Sequence, residues 1–234
     1  METAPERFGR NVVVLIPAYE PEEGLVTFVR SLARHFSRII LVNDGSTRGL
    51  DFFKSARPFV ETILVHPENR GKGAALKTAL ASLEEGVDVV TADADGQHAV
   101  EDVVRVAAAL ESHREGLVLG VRDLRLGHVP LRSWWGNIWT VWTLYLLTFR
   151  RFRDTQTGLR GFPASVIPRL LSLPGERYDY ELAMLASVRR FRWPVFELPI
   201  RTLYSPGNST SHFSPLKDSL RNFRTLARLI PPRK

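Results

Sequence analysis

No cysteine occurs among the 234 residues, which excludes disulfides, thiolate metal sites and cysteine nucleophiles and is compatible with a reducing compartment. The N-terminal stretch METAPERFGR lacks the apolar run of a secretory signal, so a cytoplasmic protein is expected. Internal repeats, low-complexity tracts and composition shifts are also absent, and one domain over residues 1–234 is the reading that follows. Acidic residues are in deficit, 25 against 32 Lys and Arg. The net charge of +7 and pI near 10.1 predict attraction to polyanions, whether nucleic acid, an anionic membrane surface or phosphorylated substrates. No nucleic-acid-binding motif accompanies the charge, so a nucleic-acid partner is not expected. The rest of the composition, 44% hydrophobic and 24% charged, is that of a globular protein with a sizeable core.

What is present is an alternation. Residues 11–16 (NVVVLI) form a continuous apolar run rich in β-branched side chains, the pattern of a strand buried on both faces, and Pro17 is expected to stop it. Residues 22–36 place Leu25, Phe28, Val29, Leu32 and Phe36 on one helical face. Short apolar runs at 39–42, 62–65, 87–90 and 117–119 alternate with helical patterns at 72–85 and 99–112. This is the signature of an α/β fold with a mostly parallel central sheet flanked by helices. In such folds ligands bind beyond the carboxyl ends of the strands. The polar clusters IPAYE, VNDGS and TADADGQH all lie at those ends.

Each cluster has a chemical reading beside a structural one. In TADADGQH, Asp93 and Asp95 share a side of an extended segment, and a turn at Gly96 can bring Gln97 or His98 round to join them. An oxygen-rich corner of this kind suits a hard divalent cation that keeps positions open for phosphates; a solvated turn is the alternative. In VNDGS, Asp44 can accept hydrogen bonds from a base or ribose, or else cap a turn. Gly71, Lys72 and Gly73 open a helix, where free N–H groups and a cation favour an anion, although the GK[ST] ending of a Walker loop is missing.

Together IPAYE, VNDGS, RGKGAALKTA, TADADGQH and DTQTGLRGF resemble the family 2 glycosyltransferases of the GT-A fold, and among them the polyprenyl-phosphate and dolichyl-phosphate sugar transferases. The resemblance implies a UDP- or GDP-sugar donor, a Mg²⁺ or Mn²⁺ cofactor, a polyprenyl phosphate acceptor and inversion at the anomeric carbon. It implies that Pro17, Tyr19, Glu20, Asp44 and Asp93, with Lys72, bind the nucleotide sugar, and that Asp93, Asp95 and Gln97 hold the metal. Asp93 and Asp95 would then be catalytic through the ion that stabilises the departing diphosphate. Asp154 is the base candidate for a hydroxyl acceptor, or a positioning residue for a lipid phosphate. Arg122, Arg132, Ser133, Gln156 and Arg160 are the acceptor candidates. Asn208, Ser211 and His212 match a loop over the donor diphosphate, where several relatives carry Lys in place of His212.

Residues 133–149 (SWWGNIWTVWTLYLLTF) hold four of the five tryptophans and are flanked by Arg132, Arg150, Arg151 and Arg153. As a helix the stretch spans about 25 Å, short of a comfortable crossing, so it reads as an interfacial helix or as a core or dimer helix. Residues 163–173 and 178–190 read as short helices, and YDYE at 178–181 resembles a family segment on the acceptor side. Residues 195–200 form another strand candidate, and 215–230 an Arg-rich amphipathic C-terminal helix. The expected protein is a peripheral membrane enzyme working beside a separate integral membrane protein. A soluble family 2 transferase with a sugar or small hydroxyl acceptor is the second reading, and a non-catalytic basic module the third.

Overall fold

The computed structural model describes residues 8–122, 144–145, 148–201 and 225. Its centre is β1 (Val12–Ala18), buried at every position. Beside it lie β2 (Ile39–Asn43), β3 (Thr62–Val65), β4 (Asp88–Thr91), β5 (Leu117–Arg122), β6 (Arg160–Phe162) and β7 (Val195–Ile200), in the order β3-β2-β1-β4-β6-β5-β7. Every pairing is parallel except those of β6, which runs antiparallel between β4 and β5.

The continuous apolar runs are explained by helices on both faces. Val13 and Leu15 face a core built with α3 (Lys72–Ala81), α5 (Ile167–Leu171), α6 (Tyr178–Ala186) and α7 (Val188–Phe191). Val12, Val14 and Ile16 face the other, built with α1 (Gly24–Leu32), α2 (Leu50–Ala56) and α4 (Val100–Ser112). In α1 the buried residues Leu25, Phe28, Val29 and Leu32 follow the helical period read from the sequence.

Pro17 does not end β1. Val14 N and Ala18 O bond towards β2, whereas Leu15 O accepts from Ala92 on the β4 side. The N–H that Pro17 lacks would therefore point towards β4, whose ladder stops at the Leu15–Thr91 pair, and no bond is lost. The α1 and α3 helices are shorter than their sequence patterns, and the pattern at 178–190 is broken at Ser187 into α6 and α7.

This topology sets the site. The ends of β1, β2 and β4 share one edge of the sheet, and antiparallel β6 begins at that same edge, with Arg160 opposite Thr91 and Leu119. The stretch DTQTG is thereby brought beside TADADGQH. The aromatic segment and the C-terminal amphipathic helix, with Arg132, Ser133, Asn208, Ser211 and His212, lie outside the described residues apart from positions 144–145, 148–149 and 225.

Candidate active site

The site is built around Asp93, just past the end of β4. Lys72, the first residue of α3, places its Nζ 2.5 Å from Asp93 Oδ1 and 2.9 Å from Glu181 Oε1 of α6. On the other oxygen, His98 Nε2 lies 3.4 Å from Asp93 Oδ2. Burial opposes ionisation of Asp93, but the Lys72 ammonium and then His98 outweigh it and hold the carboxyl well below the ordinary range. Lys72 is raised above the ordinary lysine value: burial opposes this, and the charges of Asp93 and Glu181 prevail. Asp93 and Lys72 are therefore an ion pair at neutral pH, with Glu181 on the other side of the ammonium.

Gly158 is the wall behind Asp93. A Cβ there would lie 2.1 Å from Asp93 Oδ2, and Gly158 O accepts a 2.8 Å hydrogen bond from Thr91 Oγ1, which ties the loop to the end of β4. Asp95 is exposed, and its Oδ1 accepts the N–H of Gln97 at 3.0 Å. Desolvation and then the charge of Asp93 push its carboxyl above the ordinary aspartate value. Among the described residues no group of three or more His, Asp and Glu is arranged to hold a metal ion alone. The donor set that is present, two repelling carboxylates with one open to solvent, fits a hard cation that takes its other ligands from phosphate oxygens.

The nucleotide-side residues form a framework beneath this cluster. Asp44 is 3% exposed, and its carboxylate accepts from Arg70 N at 3.0 Å, Gly71 N at 2.7 Å and His66 Nδ1 at 2.7 Å. His66 Nε2 in turn meets Thr78 Oγ1 at 2.9 Å. Asp44 thus clamps the loop that carries Lys72. Gly45, at φ 72°, lets that loop approach: a Cβ would come 2.1 Å from the Glu68 carbonyl carbon. Tyr19 is 38% exposed at the strand-end edge beside Pro17, and Glu20 pairs with Arg48 and Thr47 while its N–H donates to Ser46 Oγ at 2.8 Å.

The structure gives three of the expected site segments partners that the sequence did not show. The glycines around Lys72 serve close packing. Gly71 N is taken by Asp44 and Ala74 N by Glu176 O, and a Cβ on Gly73 would strike Tyr180 Cβ at 2.5 Å, so these glycines seat α6 against α3. Asp154 is 2% exposed and forms a forked pair with Arg122, at 2.6 and 3.1 Å, while accepting the Gln156 N–H at 3.0 Å. Both of its oxygens are engaged, and it anchors Arg122. Arg160, 1% exposed, directs its guanidinium to the carbonyls of Thr157 and Glu181, which makes it a support of the α6 connection. Arg122 and the exposed Gln156 remain at the site edge.

Glu181, Gly158 and His66 were not among the residues expected in the donor site. YDYE pointed to the acceptor side, yet Glu181 reaches Lys72. The glycine of DTQTG carried no signal of its partner, since the contact with Asp93 spans 65 positions of the chain.

Comparison with known proteins bears on the family and the fold. The profile of glycosyl transferase family 2 matches residues 13–169. The UDP-N-acetylglucosamine–dolichyl-phosphate N-acetylglucosaminyltransferase of Methanococcus voltae is 29% identical over 218 residues, covering 83% of this chain and 86% of that protein. The polyprenol monophosphomannose synthase of Mycolicibacterium smegmatis is 26% identical over 216 residues, covering 85% and 80%. In fold the chain is similar to the glucosyl-3-phosphoglycerate synthase of Mycobacterium tuberculosis, solved with Mn²⁺, uridine diphosphate and phosphoglyceric acid, at a TM-score of 0.66 and 20% identity over 94% of this chain and 78% of that one.

Proposed function

The chain belongs to glycosyl transferase family 2 and is a glycosyltransferase, and from that premise we propose that it moves a sugar, with inversion, from a nucleotide diphosphate sugar to a polyprenyl phosphate at the cytoplasmic face of a membrane. The observation that carries the reading is the Asp93 cluster, an ionised carboxylate held by Lys72 and His98 at the strand edge beside an open Asp95. The choice of a lipid phosphate rests on the two relatives whose names specify dolichyl phosphate and polyprenol. Among the described residues no helix is long and apolar enough to cross a membrane.

In this reading the acceptor phosphate oxygen attacks the anomeric carbon from the face opposite the leaving group. The bond from that carbon to the diphosphate oxygen breaks, and its electron pair leaves with the nucleotide diphosphate. A phosphate acceptor is already anionic near neutral pH, so no strong base is required, in keeping with the engaged carboxylate of Asp154. Asp93 and Asp95, with Gln97, are the residues that would hold Mg²⁺ or Mn²⁺, whose chemistry when bound is to neutralise charge developing on the diphosphate. Lys72 keeps Asp93 ionised and aimed, and Glu181 keeps Lys72 in place. Arg122, oriented by Asp154, offers a cation at the acceptor side.

The test is transfer from UDP- and GDP-sugars to a short-chain polyprenyl phosphate, with nucleotide binding followed by thermal shift. Stabilisation by one nucleotide only when Mg²⁺ or Mn²⁺ is added, with transfer lost in Asp95→Asn, is expected. Transfer to a water-soluble acceptor and none to polyprenyl phosphate would replace the lipid acceptor with a small one.

A further inference from the structure

At the opposite end of β5 and β7 from the site lies a surface that the reaction does not use. Val195 of β7 pairs with Leu117 at that end, and three elements converge there: the residues after position 148, α5 and α7. Arg150 joins them to the sheet by donating to Val195 O at 2.7 Å. On this surface arginines alternate with rings. Arg189 lies 4.4 Å from the centroid of Phe149, Arg151 lies 5.6 Å from Tyr145, and Arg169 and Arg190 lie 5.2 and 5.5 Å from Phe191. All four arginines are exposed, and none is paired with a carboxylate among the described residues. Phe149 is 66% exposed, the highest value among the large apolar side chains described.

Four cations without counter-charges favour an anionic surface. An apolar ring left in water among them adds what a soluble polyanion does not require: a group that gains by entering the headgroup and acyl boundary. Each guanidinium is also held against a ring, which restricts its side chain before contact. The geometry points to this patch as the membrane-docking face of the enzyme, taking anionic phospholipid headgroups on Arg151, Arg169, Arg189 and Arg190 with Phe149 inserted between them. The inference rests on the lipid-acceptor reading for its biological sense, but not for its evidence. Phe149 and Asp154 are five positions apart, so at most about 17 Å of chain separates the patch from the Arg122–Asp154 end of the site.

The experiment is flotation of the full chain with acceptor-free vesicles of phosphatidylcholine alone and of phosphatidylcholine mixed with phosphatidylglycerol. Binding to the mixed vesicles only, weakening as salt is raised, is expected. An arginine near an anionic surface contributes roughly fivefold in partitioning, so Arg189→Gln with Arg190→Gln should reduce binding about 25-fold. The Lys pair at the same positions should retain most of it, which separates charge from folding. Phe149→Ser should weaken binding in a salt-insensitive way. The Gln pair should leave transfer to a short-chain, water-soluble polyprenyl phosphate unchanged, because Arg189 and Arg190 contact Phe149 and Phe191 and not the Asp93 cluster. Equal binding by the Gln pair and the parent would overturn the proposal, as would binding of single-stranded RNA with none of vesicles. Because the vesicles hold no acceptor, a chain that binds them yet transfers sugar only to a soluble acceptor would refute the lipid-acceptor reading and leave the docking face standing.

Discussion

Replacing Gly158 by Ala adds one methyl group at the place where the site can least accept it. The new Cβ would lie 2.1 Å from Asp93 Oδ2 and 2.4 Å from Oδ1, against an ordinary contact of about 3.4 Å or more. Its backbone is outside the left-handed region, so the effect is steric and not conformational. The loop cannot retreat freely, because Gly158 O is held by Thr91 Oγ1 at 2.8 Å. The carboxylate of Asp93 must therefore swing by about 1 Å, away from the geometry that Lys72 and His98 define. Overpacking of this kind costs about 1–3 kcal/mol, which for a chain of this size corresponds to a lowering of Tm by about 2–12 °C. Displacement of a reacting group by about 1 Å costs on the order of a hundredfold in rate. Gly158→Ala should thus remain folded at 25 °C while kcat/KM for sugar transfer falls about a hundredfold. Circular dichroism melting and a radiolabelled transfer assay measure the two quantities on one preparation. Wild-type kcat/KM in the folded variant would refute the placement of Asp93 at the reacting end of the site.

Three further outcomes follow from the same geometry. Lys72→Met leaves Asp93 and Glu181 facing one another without their shared cation, and removal of one partner of a buried pair costs about 3–5 kcal/mol; urea unfolding should show that loss, and unchanged stability would mean that the cluster is solvated. Arg122→Ala strands the buried carboxylate of Asp154 and should destabilise by a similar amount, whereas Asp154→Asn keeps an acceptor oxygen and should retain a measurable part of transfer to a phosphate acceptor; complete loss of kcat in a stable Asp154→Asn enzyme would restore Asp154 as a base. His66→Ala removes the group that fixes Asp44 under the Lys72 loop and should raise KM for the donor more than it lowers kcat, with partial rescue in His66→Gln; steady-state kinetics over donor concentration decide this, and an unchanged KM would sever His66 from the site.

The sheet was legible because its causes are local. A run such as VVVLI can be buried on both faces only in a layered α/β fold, and the 3.6-residue spacing of Leu25, Phe28, Val29 and Leu32 leaves one arrangement for α1. Placing polar clusters at strand ends requires only the alternation of elements, so the segments that carry Asp93, Asp95 and Asp44 can be set at one edge of the sheet from the sequence. The sequence alone also established the cysteine-free chemistry, the basic excess and, through five short motifs in order, the glycosyltransferase family.

Tertiary structure decided what those residues do to one another. β6 is three residues long with no period to detect, yet its antiparallel insertion between β4 and β5 delivers Gly158 to Asp93. Lys72 reads from sequence as a cation awaiting a phosphate, and only the packing of α6 on Gly73 shows its ammonium shared between Asp93 and Glu181. Asp44 reads from sequence as a nucleotide contact and Asp154 as a base or positioning residue, and the fold adds that each carboxylate is buried with its hydrogen bonds going to backbone N–H groups and a basic side chain. The same holds for the arginines around Phe149, which are scattered over about forty positions of the sequence and become one surface only where α5 and α7 meet the far end of β5 and β7. The common reason is that hydrophobic periodicity is written over neighbouring residues, whereas pairing of charges is set by chain crossings that no local pattern encodes.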